Sequence, residues 1–442
     1  MMILDMSDSV SIAQMRCYKW LFLLCLLGAL GFMVLSYLPT NVGLASNWAT
    51  RNGLWQLNGV LDTVDRHSPR IATNEGGKTT QMLKQSSQVK KSTRSDEVTS
   101  AQPTRPPDKQ STMWFLNDDT YTKSKCLSAI RRNPELVPGG LNFIPDIPVL
   151  MWSEHINPEE YDRLKLFDRL FGWKNIPYGD VKNCLRHFNT SDHRYMFPGW
   201  TPDHAGCVRC AVVGNGGILR GSGKGREIDG HDFVWRVNAA ITEGFEDDVG
   251  KRTSFYFHCH NSLKNSLKTS RKYGFTHPPQ DKSTVYISVA KNVQDYAYFD
   301  AAISWKPVKN KSSPPLEYGE RPANTKFRML HPDFIRYLTY NWLNSSRGNG
   351  RYENIYQPSK GAIMLLTALH TCDITDAYGF ITADHRHYNS YYYEKDREKY
   401  VFYANHDFRM ELELWNKLDL AGLMTLYRGN KTDADGGGSK RK

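Results

Sequence analysis

A glycine-rich stretch follows an apolar run near the middle of the chain, in CAVVGNGGILRGSGKG (residues 210–225). Glycines directly after a strand expose backbone N–H groups, which is typical of sites that hold phosphates. The dinucleotide-binding pattern G-x-G-x-x-G/A fits at Gly214 and Gly216, but Leu219 occupies its third small position. The P-loop pattern G-x-x-x-x-G-K-[ST] also fails, because its lysine is followed by Gly225. The stretch favours a phosphate compound without belonging to either common class of phosphate loop.

Two asparagines accompany this loop. Asn215 lies between its first glycines, and Asn238 ends the next predicted strand. At the carboxyl ends of neighbouring parallel strands, their amides could hydrogen-bond a phosphate, a ribose or a base. Turn glycines and helix-capping asparagines would explain the same residues without any ligand.

A second polar group precedes a long apolar stretch in QPSKGAIMLLTALHTC (residues 357–372). Ser359 and Gly361 stand at the predicted start of a helix, where free N–H groups and the helix dipole favour an anion. Lys360 would add a positive charge at the same point. An ordinary serine helix cap is the alternative explanation.

A single histidine defines the third segment, ANHDFRMELELW (residues 404–415). His406 follows a predicted strand at 400–403 and begins a predicted helix, so its ring is expected to face the ligand crevice. A neutral imidazole can accept a proton from a sugar hydroxyl, because its usual pKa is near neutrality. Glu411, five residues later, is expected to orient either the loop or the ring.

Strand and helix patterns alternate through the chain from about residue 125 to 427. Strands are predicted at 208–213, 232–240, 252–258, 283–290, 376–381, 400–403 and 423–427. Residues 327–330 lead into a helix predicted at 331–343, and further helices are predicted at 361–372 and 406–422. This alternation predicts a Rossmann-like α/β fold with a mainly parallel sheet flanked by helices. Ligands bind at the carboxyl ends of strands in such folds, and each polar segment above lies at such a position.

The N-terminal region has a different composition. Residues 20–38 carry no charge and approach the about 20 residues that cross a bilayer as a helix. Arg16 and Lys19 precede this span, whereas the next basic residue is Arg51, which predicts a cytosolic tail at 1–19 and a luminal remainder. Residues 39–124 are polar and predict a disordered stem. The predicted catalytic domain covers 125–428, followed by a disordered tail at 429–442.

The net charge, the cysteines and the glycosylation sequons narrow the class of protein further. The net charge of +11 favours anionic partners, but nucleic acid is excluded because the only dense basic cluster is KRK at 440–442. Six cysteines would lie in the lumen, where disulfides persist. Four N-glycosylation sequons fall in the same region, at Asn189, Asn310, Asn344 and Asn430.

Together, the three polar segments resemble the large, small and very small sialylmotifs of the animal sialyltransferases. The large motif reads CAVVGNGGIL…IDGHDFVWRVN, the small motif PSKGAIMLLTALHTCD…AYGF, and the very small motif consists of His406 and Glu411. The resemblance covers about residues 125–427. The stretches CAVVGNGGIL, LLTALHTCD and AYGFIT look closest to the α-N-acetylgalactosaminide α-2,6-sialyltransferases.

The resemblance implies a GT-A-like variant of the Rossmann fold and assigns residues to roles. His406 would be the catalytic base, supported by Glu411, and the donor CMP-sialic acid would be bound by Asn215, Gly216, Asn238, Ser359, Lys360 and Gly361. It also implies disulfides Cys126–Cys207 and Cys210–Cys372, while Cys184 and Cys259 would pair or remain free. No cofactor and no metal are implied, and Asp433-x-Asp435 in the predicted tail is attributed to chance.

Two positions depart from the family pattern. Lys360 replaces the usual threonine of the small motif, and Tyr391 replaces the histidine of the family's third motif, with His385 and His387 displaced upstream. If that histidine supports the donor phosphate, the Tyr391 hydroxyl or His387 must replace it. Both residues are therefore included among the expected donor contacts.

The expected function is inverting, metal-independent transfer of sialic acid to O6 of GalNAc in O-linked glycans of glycoproteins. The resemblance implies a single-pass type II protein of the Golgi membrane that acts on O-glycosylated proteins. Three alternatives stay open: an α-2,3-sialyltransferase acting on galactose, a weakly active or inactive glycan-binding relative, and a nucleotide-dependent oxidoreductase. The sequence leaves open whether the acceptor core is bare, galactosylated or already sialylated.

Overall fold

The computed structural model describes residues 117–118, 120–168, 170–199, 206–308, 314–349, 351–395 and 402–429. The predicted anchor at 20–38, nearly all of the predicted stem and the predicted tail beyond residue 429 lie outside these ranges. Within them, no helix combines the length and the apolar character needed to cross a bilayer.

A seven-stranded sheet forms the centre of the described structure. All neighbouring strands pair in parallel, in the order β5-β4-β3-β2-β1-β6-β7, which confirms the predicted mainly parallel sheet. The strands are β1 (Arg209–Val213), β2 (Phe233–Val237), β3 (Phe255–His258), β4 (Val285–Ser288), β5 (Phe327–Met329), β6 (Ile374–Tyr378) and β7 (Thr425–Leu426). Several strands are shorter than predicted; β2 ends before Asn238, which adopts a left-handed φ of 55°.

Helices cover both faces of this sheet. The α-helices of the described residues are α1 (Pro158–Leu164), α2 (Tyr178–Leu185), α3 (Gly225–Asp229), α4 (Glu246–Val249), α5 (His260–Thr269), α6 (Val293–Ser304), α7 (Pro332–Tyr337), α8 (Lys360–Thr371) and α9 (Phe408–Leu420). The helix predicted over 331–343 is split into α7 and a π-helical turn, Leu338–Trp342.

Two apolar cores lie on opposite faces of the sheet. Successive strand residues point to opposite faces, so Val212 and Trp235 join one core while Ala211 and Tyr256 join the other. The strands are buried on both faces, which explains why they are nearly continuous apolar runs. Helix α8 belongs to the first core and packs against β1, β2, β3 and β6.

Two disulfides connect parts of the fold that are distant in sequence. Cys126 bonds Cys207 with a Cα–Cα distance of 5.2 Å, and Cys210 bonds Cys372 with a Cα–Cα distance of 6.2 Å. The second bond ties the beginning of β1 to the residue that ends α8. Both pairs are those implied by the family resemblance, whereas buried Cys184 and Cys259 are free.

The folded region extends upstream of residue 125, where the predicted stem meets the predicted domain. The Tyr121 side chain is buried in the first core, and its hydroxyl accepts a hydrogen bond from the Met196 N–H at 2.8 Å. Among the sequons, Asn189 and Asn344 are exposed, and Asn310 and Asn430 lie outside the described residues.

Candidate active site

The predicted donor-binding residues other than His387 line one cavity of about 310 Å³ at the carboxyl ends of β1, β2 and β6. We call it the donor-side cavity. After β1 the chain continues toward β2, and after β6 toward β7, so the loops diverge and leave a crevice between them. The predicted residues that line it are Asn215, Gly216, Asn238, Ser359, Lys360, Gly361, Tyr391, His406 and Glu411.

The glycine loop after β1 packs directly on the loop after β6. The Gly214 N–H donates to the Tyr378 carbonyl at 2.7 Å, and the Gly216 N–H donates to the Gly379 carbonyl at 2.9 Å. A Cβ at Gly216 would lie 2.6 Å from that carbonyl oxygen, so only glycine fits. The N–H groups of these two glycines are therefore committed to the fold and are not free to bind a phosphate.

The two asparagines at the cavity are held by different contacts. The Asn215 side-chain amide donates to the Val237 carbonyl at 3.0 Å, which fixes it against the end of β2. The Asn238 carbonyl accepts the Tyr256 hydroxyl at 2.6 Å. Both asparagines are half-buried and line the cavity, as expected from the sequence.

The N-terminus of α8 forms the opposite wall. Ser359 caps the helix by accepting the Ala362 N–H at 3.0 Å. The Glu411 carboxylate in turn accepts the Ser359 N–H at 3.1 Å and its hydroxyl at 2.8 Å. Burial raises the pKa of Glu411 to about 7. Of the two roles expected for Glu411, these contacts correspond to orienting the loop.

His406 is fixed in one tautomer. Its Nδ1 lies 2.8 Å from the Gln357 carbonyl oxygen and must donate to it, so Nε2 carries the lone pair and accepts from the Asn405 amide at 3.2 Å. Burial, aided by the positive charges of Lys360, Lys291 and Arg347, lowers the pKa of His406 to about 4. The ring is therefore neutral at neutral pH, and Nε2 can accept a proton once the Asn405 amide releases its hydrogen bond to that atom.

The local structure around His406 differs from the prediction. Phe402 and Tyr403 are not in a strand, and the rest of the predicted strand lies outside the described residues. The helix begins at Phe408 because the Asp407 side chain caps it, accepting the Met410 N–H at 3.3 Å. His406 therefore lies on a short loop that other segments must hold in place.

Tyr391 and His387 occupy different environments. Tyr391 lines the donor-side cavity, and its ring stacks on Tyr393 with centroids 5.2 Å apart. The Glu394 carboxylate accepts the Tyr391 N–H at 3.0 Å. His387 is exposed and does not line the cavity. Of these two predicted donor contacts, only Tyr391 lines the donor-side cavity.

A second, larger cavity of about 880 Å³ lies on the other side of the His406 loop. We call it the acceptor-side cavity, for the role proposed below. Gln357 and Asn405, the two hydrogen-bond partners of the His406 ring, line it directly. Phe171 and Tyr340 form an aromatic wall there, with ring centroids 5.4 Å apart. The imidazole itself lines the donor-side cavity, and only its two hydrogen-bond partners line the larger one.

Several residues of these walls carried no signal in the sequence. Gln357 acts through its backbone carbonyl, a contact that no side-chain pattern encodes. Arg347 donates to the Ala404 and His406 carbonyls from a segment outside all three motifs. The remaining unanticipated residues of the donor-side wall include Phe380, Tyr403 and Trp415.

Among the described residues, one cluster has the spacing of metal ligands: Glu160, His331 and Asp333, all buried. Arg163 lies 2.7 Å from the Glu160 carboxylate and 2.5 Å from that of Asp333, which Arg336 also contacts at 2.8 Å. Two guanidinium groups therefore balance two carboxylates. The cluster fits a buried ion-pair network better than a metal centre.

Comparison with known proteins identifies the family. The model of glycosyltransferase family 29 (sialyltransferase) matches residues 150–423, more than half of the chain. The alpha-N-acetylgalactosaminide alpha-2,6-sialyltransferase 2 of Homo sapiens is 43% identical over 306 residues, covering 68% of this chain and 80% of that protein. The CMP-N-acetylneuraminate-beta-galactosamide-alpha-2,3-sialyltransferase 2 of Mus musculus is 35% identical over 241 residues, covering 53% and 62%.

Among solved structures, the crystal structure of a mammalian sialyltransferase is 26% identical, with a TM-score of 0.46, and the match covers 65% of this chain and 92% of that chain. The extent of the family match and the identity to the human relative agree with the three motifs that surround the donor-side cavity. The chain belongs to glycosyltransferase family 29, the sialyltransferases.

Proposed function

We propose that this enzyme transfers sialic acid from CMP-sialic acid to O6 of a GalNAc residue linked to serine or threonine in mucin-type O-glycans. The observation that carries the proposal is the neutral His406 ring in the wall of the donor-side cavity, held at Nδ1 by Gln357, which also lines the larger cavity. The linkage is supported by the names of the relatives, which are GalNAc α-2,6-sialyltransferases at up to 43% identity.

The donor-side cavity would bind CMP-sialic acid. The N-terminus of α8 and the Lys360 ammonium place positive charge where the donor phosphate is expected, close to His406. Asn215 and Asn238, at the ends of β1 and β2, would hydrogen-bond the nucleotide. Tyr391, which stands at the position of the third-motif histidine and lines the cavity, would place its hydroxyl at the donor phosphate.

The reaction would be a single inverting displacement at the anomeric carbon of sialic acid. O6 of the acceptor forms the new bond as the bond to the phosphate oxygen of CMP breaks, and the O6 proton passes to His406 Nε2. The electron pair leaves with CMP, whose phosphate charge is met by the helix dipole and Lys360. The chain supplies positioning and electrostatics, so the proposed mechanism uses no metal and no cofactor.

The acceptor glycan would lie in the acceptor-side cavity, against Phe171 and Tyr340. Aromatic walls with a few polar groups are typical of sites that bind small polar ligands. We further propose that the protein is a single-pass type II protein of the Golgi membrane, anchored by residues 20–38. The two disulfides support a luminal position for the catalytic domain, because disulfides persist in oxidising compartments.

The test is product analysis with the full-length enzyme in detergent. CMP-sialic acid would be incubated with glycopeptides that carry bare, galactosylated or α-2,3-sialylated GalNAc, and the linkage formed would be determined. We expect sialic acid on O6 of GalNAc with at least one core. Product on O3 of galactose would establish the α-2,3 alternative. Absence of transfer and of donor hydrolysis, with retained glycopeptide binding, would establish the glycan-binding alternative.

A further inference from the structure

We propose that Arg347 is a positioning residue for His406, an inference that rests on the proposed role of His406 as the general base. The Arg347 guanidinium donates from Nη1 to the Ala404 carbonyl and to the His406 carbonyl, each at 3.0 Å. Its Nε also lies 3.9 Å from an Asp407 carboxylate oxygen. One side chain therefore contacts three of four consecutive residues around the base.

The loop that carries His406 has little other support from regular structure. Within the described residues, 402–407 belong to no helix or strand. Gln357 fixes the loop at two points: its N–H donates to the Asn405 carbonyl at 3.0 Å, and its carbonyl accepts from the His406 ring. Arg347 adds the anchor on the backbone of His406 itself, so ring and backbone of the base are held by different segments.

The segment that carries Arg347 is tied to the same loop by a second contact. The Ser345 hydroxyl donates to an Asp407 carboxylate oxygen at 2.6 Å. Ser345 is buried, and its hydroxyl also accepts the Arg347 N–H at 3.1 Å. The short turn Ser346–Asn349 is therefore docked on the loop and holds the guanidinium close to the two carbonyls it binds.

Arg347 also contributes to the electrostatics of the ring. Three cations act on the His406 ring: Lys360 at the start of α8, Lys291 between β4 and α6, and Arg347. The carboxyl groups of Glu394 and Glu411 line the same cavity as the ring, and Asp407 follows it in the chain. Arg347 is one of three cations whose charge disfavours protonation of the imidazole and lowers its pKa. Removing its charge is expected to raise that pKa.

Arg351 provides a matched control. The guanidinium groups of Arg347 and Arg351 both lie over the Tyr352 ring, at 5.5 Å and 5.3 Å from its centroid. Arg351 is exposed, and within the described part of the chain it makes no hydrogen bond to the His406 loop. Substituting either arginine by alanine removes one cation–π contact. Only the substitution of Arg347 also removes hydrogen bonds to the loop that carries His406.

The experiment compares full-length Arg347→Ala, Arg347→Lys and Arg351→Ala with wild type. We expect Arg347→Ala to lower kcat by about 10- to 100-fold with donor KM nearly unchanged, because a displaced base costs rate rather than binding. The acidic limb of its pH–rate profile should move to higher pH. Arg347→Lys should have an intermediate kcat and the acidic limb of the wild-type pH–rate profile, since lysine retains the positive charge but lacks the planar guanidinium group.

Arg351→Ala should stay within about twofold of wild type, since surface contacts of this kind contribute little. Equal losses in Arg347→Ala and Arg351→Ala would overturn the proposal, as would a loss in Arg347→Ala with an unmoved acidic limb. If Arg347→Ala does not fold, the lysine variant decides: wild-type kcat would refute the positioning role. A parallel His406→Ala variant separates the two hypotheses. If that variant retains activity, His406 is not the general base and the proposed function fails together with the role of Arg347.

Discussion

The two cavities beside His406 are built in different ways. The donor-side cavity lies at strand ends, a glycine loop and a helix N-terminus, which bring together side chains such as Asn215, Lys360 and His406. The acceptor-side cavity is formed by long side chains from loops and from the segments around residues 166–174 and 336–357. It is also almost three times larger, at about 880 Å³ against 310 Å³.

The difference shows which parts of the two cavities depend on the fold and which depend on individual side chains. Backbone groups at the ends of parallel strands recur wherever the fold recurs, so the donor-side cavity follows from topology. Side chains on loops can change without altering the sheet, so under the proposed function acceptor preference would vary at the acceptor-side cavity. If each substrate binds in one of the two cavities, a substitution in either cavity should change the KM of only one substrate.

The largest effect is expected at His406, which lines the donor-side cavity and whose ring partners line the other one. His406→Ala should lower kcat by about 10²- to 10⁴-fold with little change in donor KM, because it removes the proton acceptor. His387→Ala is the control, since His387 is exposed and outside the donor-side cavity. Because burial and nearby cations lower the pKa of His406 to about 4, the wild-type kcat/KM profile should fall only below that pH. More than about a tenth of wild-type activity in His406→Ala would contradict the assignment.

The sequence predicted the donor-side cavity better than the acceptor-side cavity for a physical reason. Glycines, a serine cap and asparagines at strand ends leave local patterns, so Gly216, Ser359 and Asn238 are recognisable from the order of the residues alone. Gln357 and Arg347 act through backbone carbonyls of other segments, and no local pattern records such a contact. The sheet was predictable because its strands are continuous apolar runs, whereas the irregular loop at His406 was mistaken for a strand followed directly by a helix.

The second prediction distinguishes two glycines on the donor side. Gly361→Ala should fit, because the new Cβ would meet only Phe380 at 3.6 Å and Ser359 at 3.7 Å. Because alanine restricts the unfolded chain more than glycine does, the variant is expected to be more stable by about 0.4–1 kcal/mol. Its methyl group would nevertheless occupy the cavity wall, so donor KM should rise about 10-fold or more.

Gly216→Ala is the matched variant for this comparison. Its Cβ would lie 2.6 Å from the Gly379 carbonyl oxygen, so the protein itself should be destabilised. Thermal melting and donor KM would be measured for both variants. Gly361→Ala with raised Tm and raised donor KM would support a ligand at the N-terminus of α8. An unchanged donor KM in that variant would argue against donor binding there.

The third prediction separates the two substrates. Tyr340→Ala removes part of the aromatic wall of the acceptor-side cavity and should raise acceptor KM about 10-fold, equivalent to about 1.4 kcal/mol. Donor KM should stay within about twofold. Tyr391→Ala is the reciprocal variant, because Tyr391 lines the donor-side cavity, and it should raise donor KM alone. If both variants change the same Michaelis constant, the assignment of one substrate to each cavity is wrong.

The smallest effect concerns Glu411, the buried carboxyl group that holds Ser359 at the donor-side cavity. Its pKa is raised by burial to about 7, so the folded state binds this proton more tightly than the unfolded chain does. Stability from this group is therefore full below about pH 4.5 and is lost as pH rises through 7. Glu411→Gln keeps the size and one carbonyl acceptor but cannot ionise, so its Tm should fall less than that of wild type between pH 5 and 8. Glu413→Gln, an exposed position on the same helix, is the control and should follow wild type. Parallel melting curves for Glu411→Gln and wild type would mean that Glu411 ionises as it does in water, and hence that solvent reaches the Ser359 contact behind the donor-side cavity.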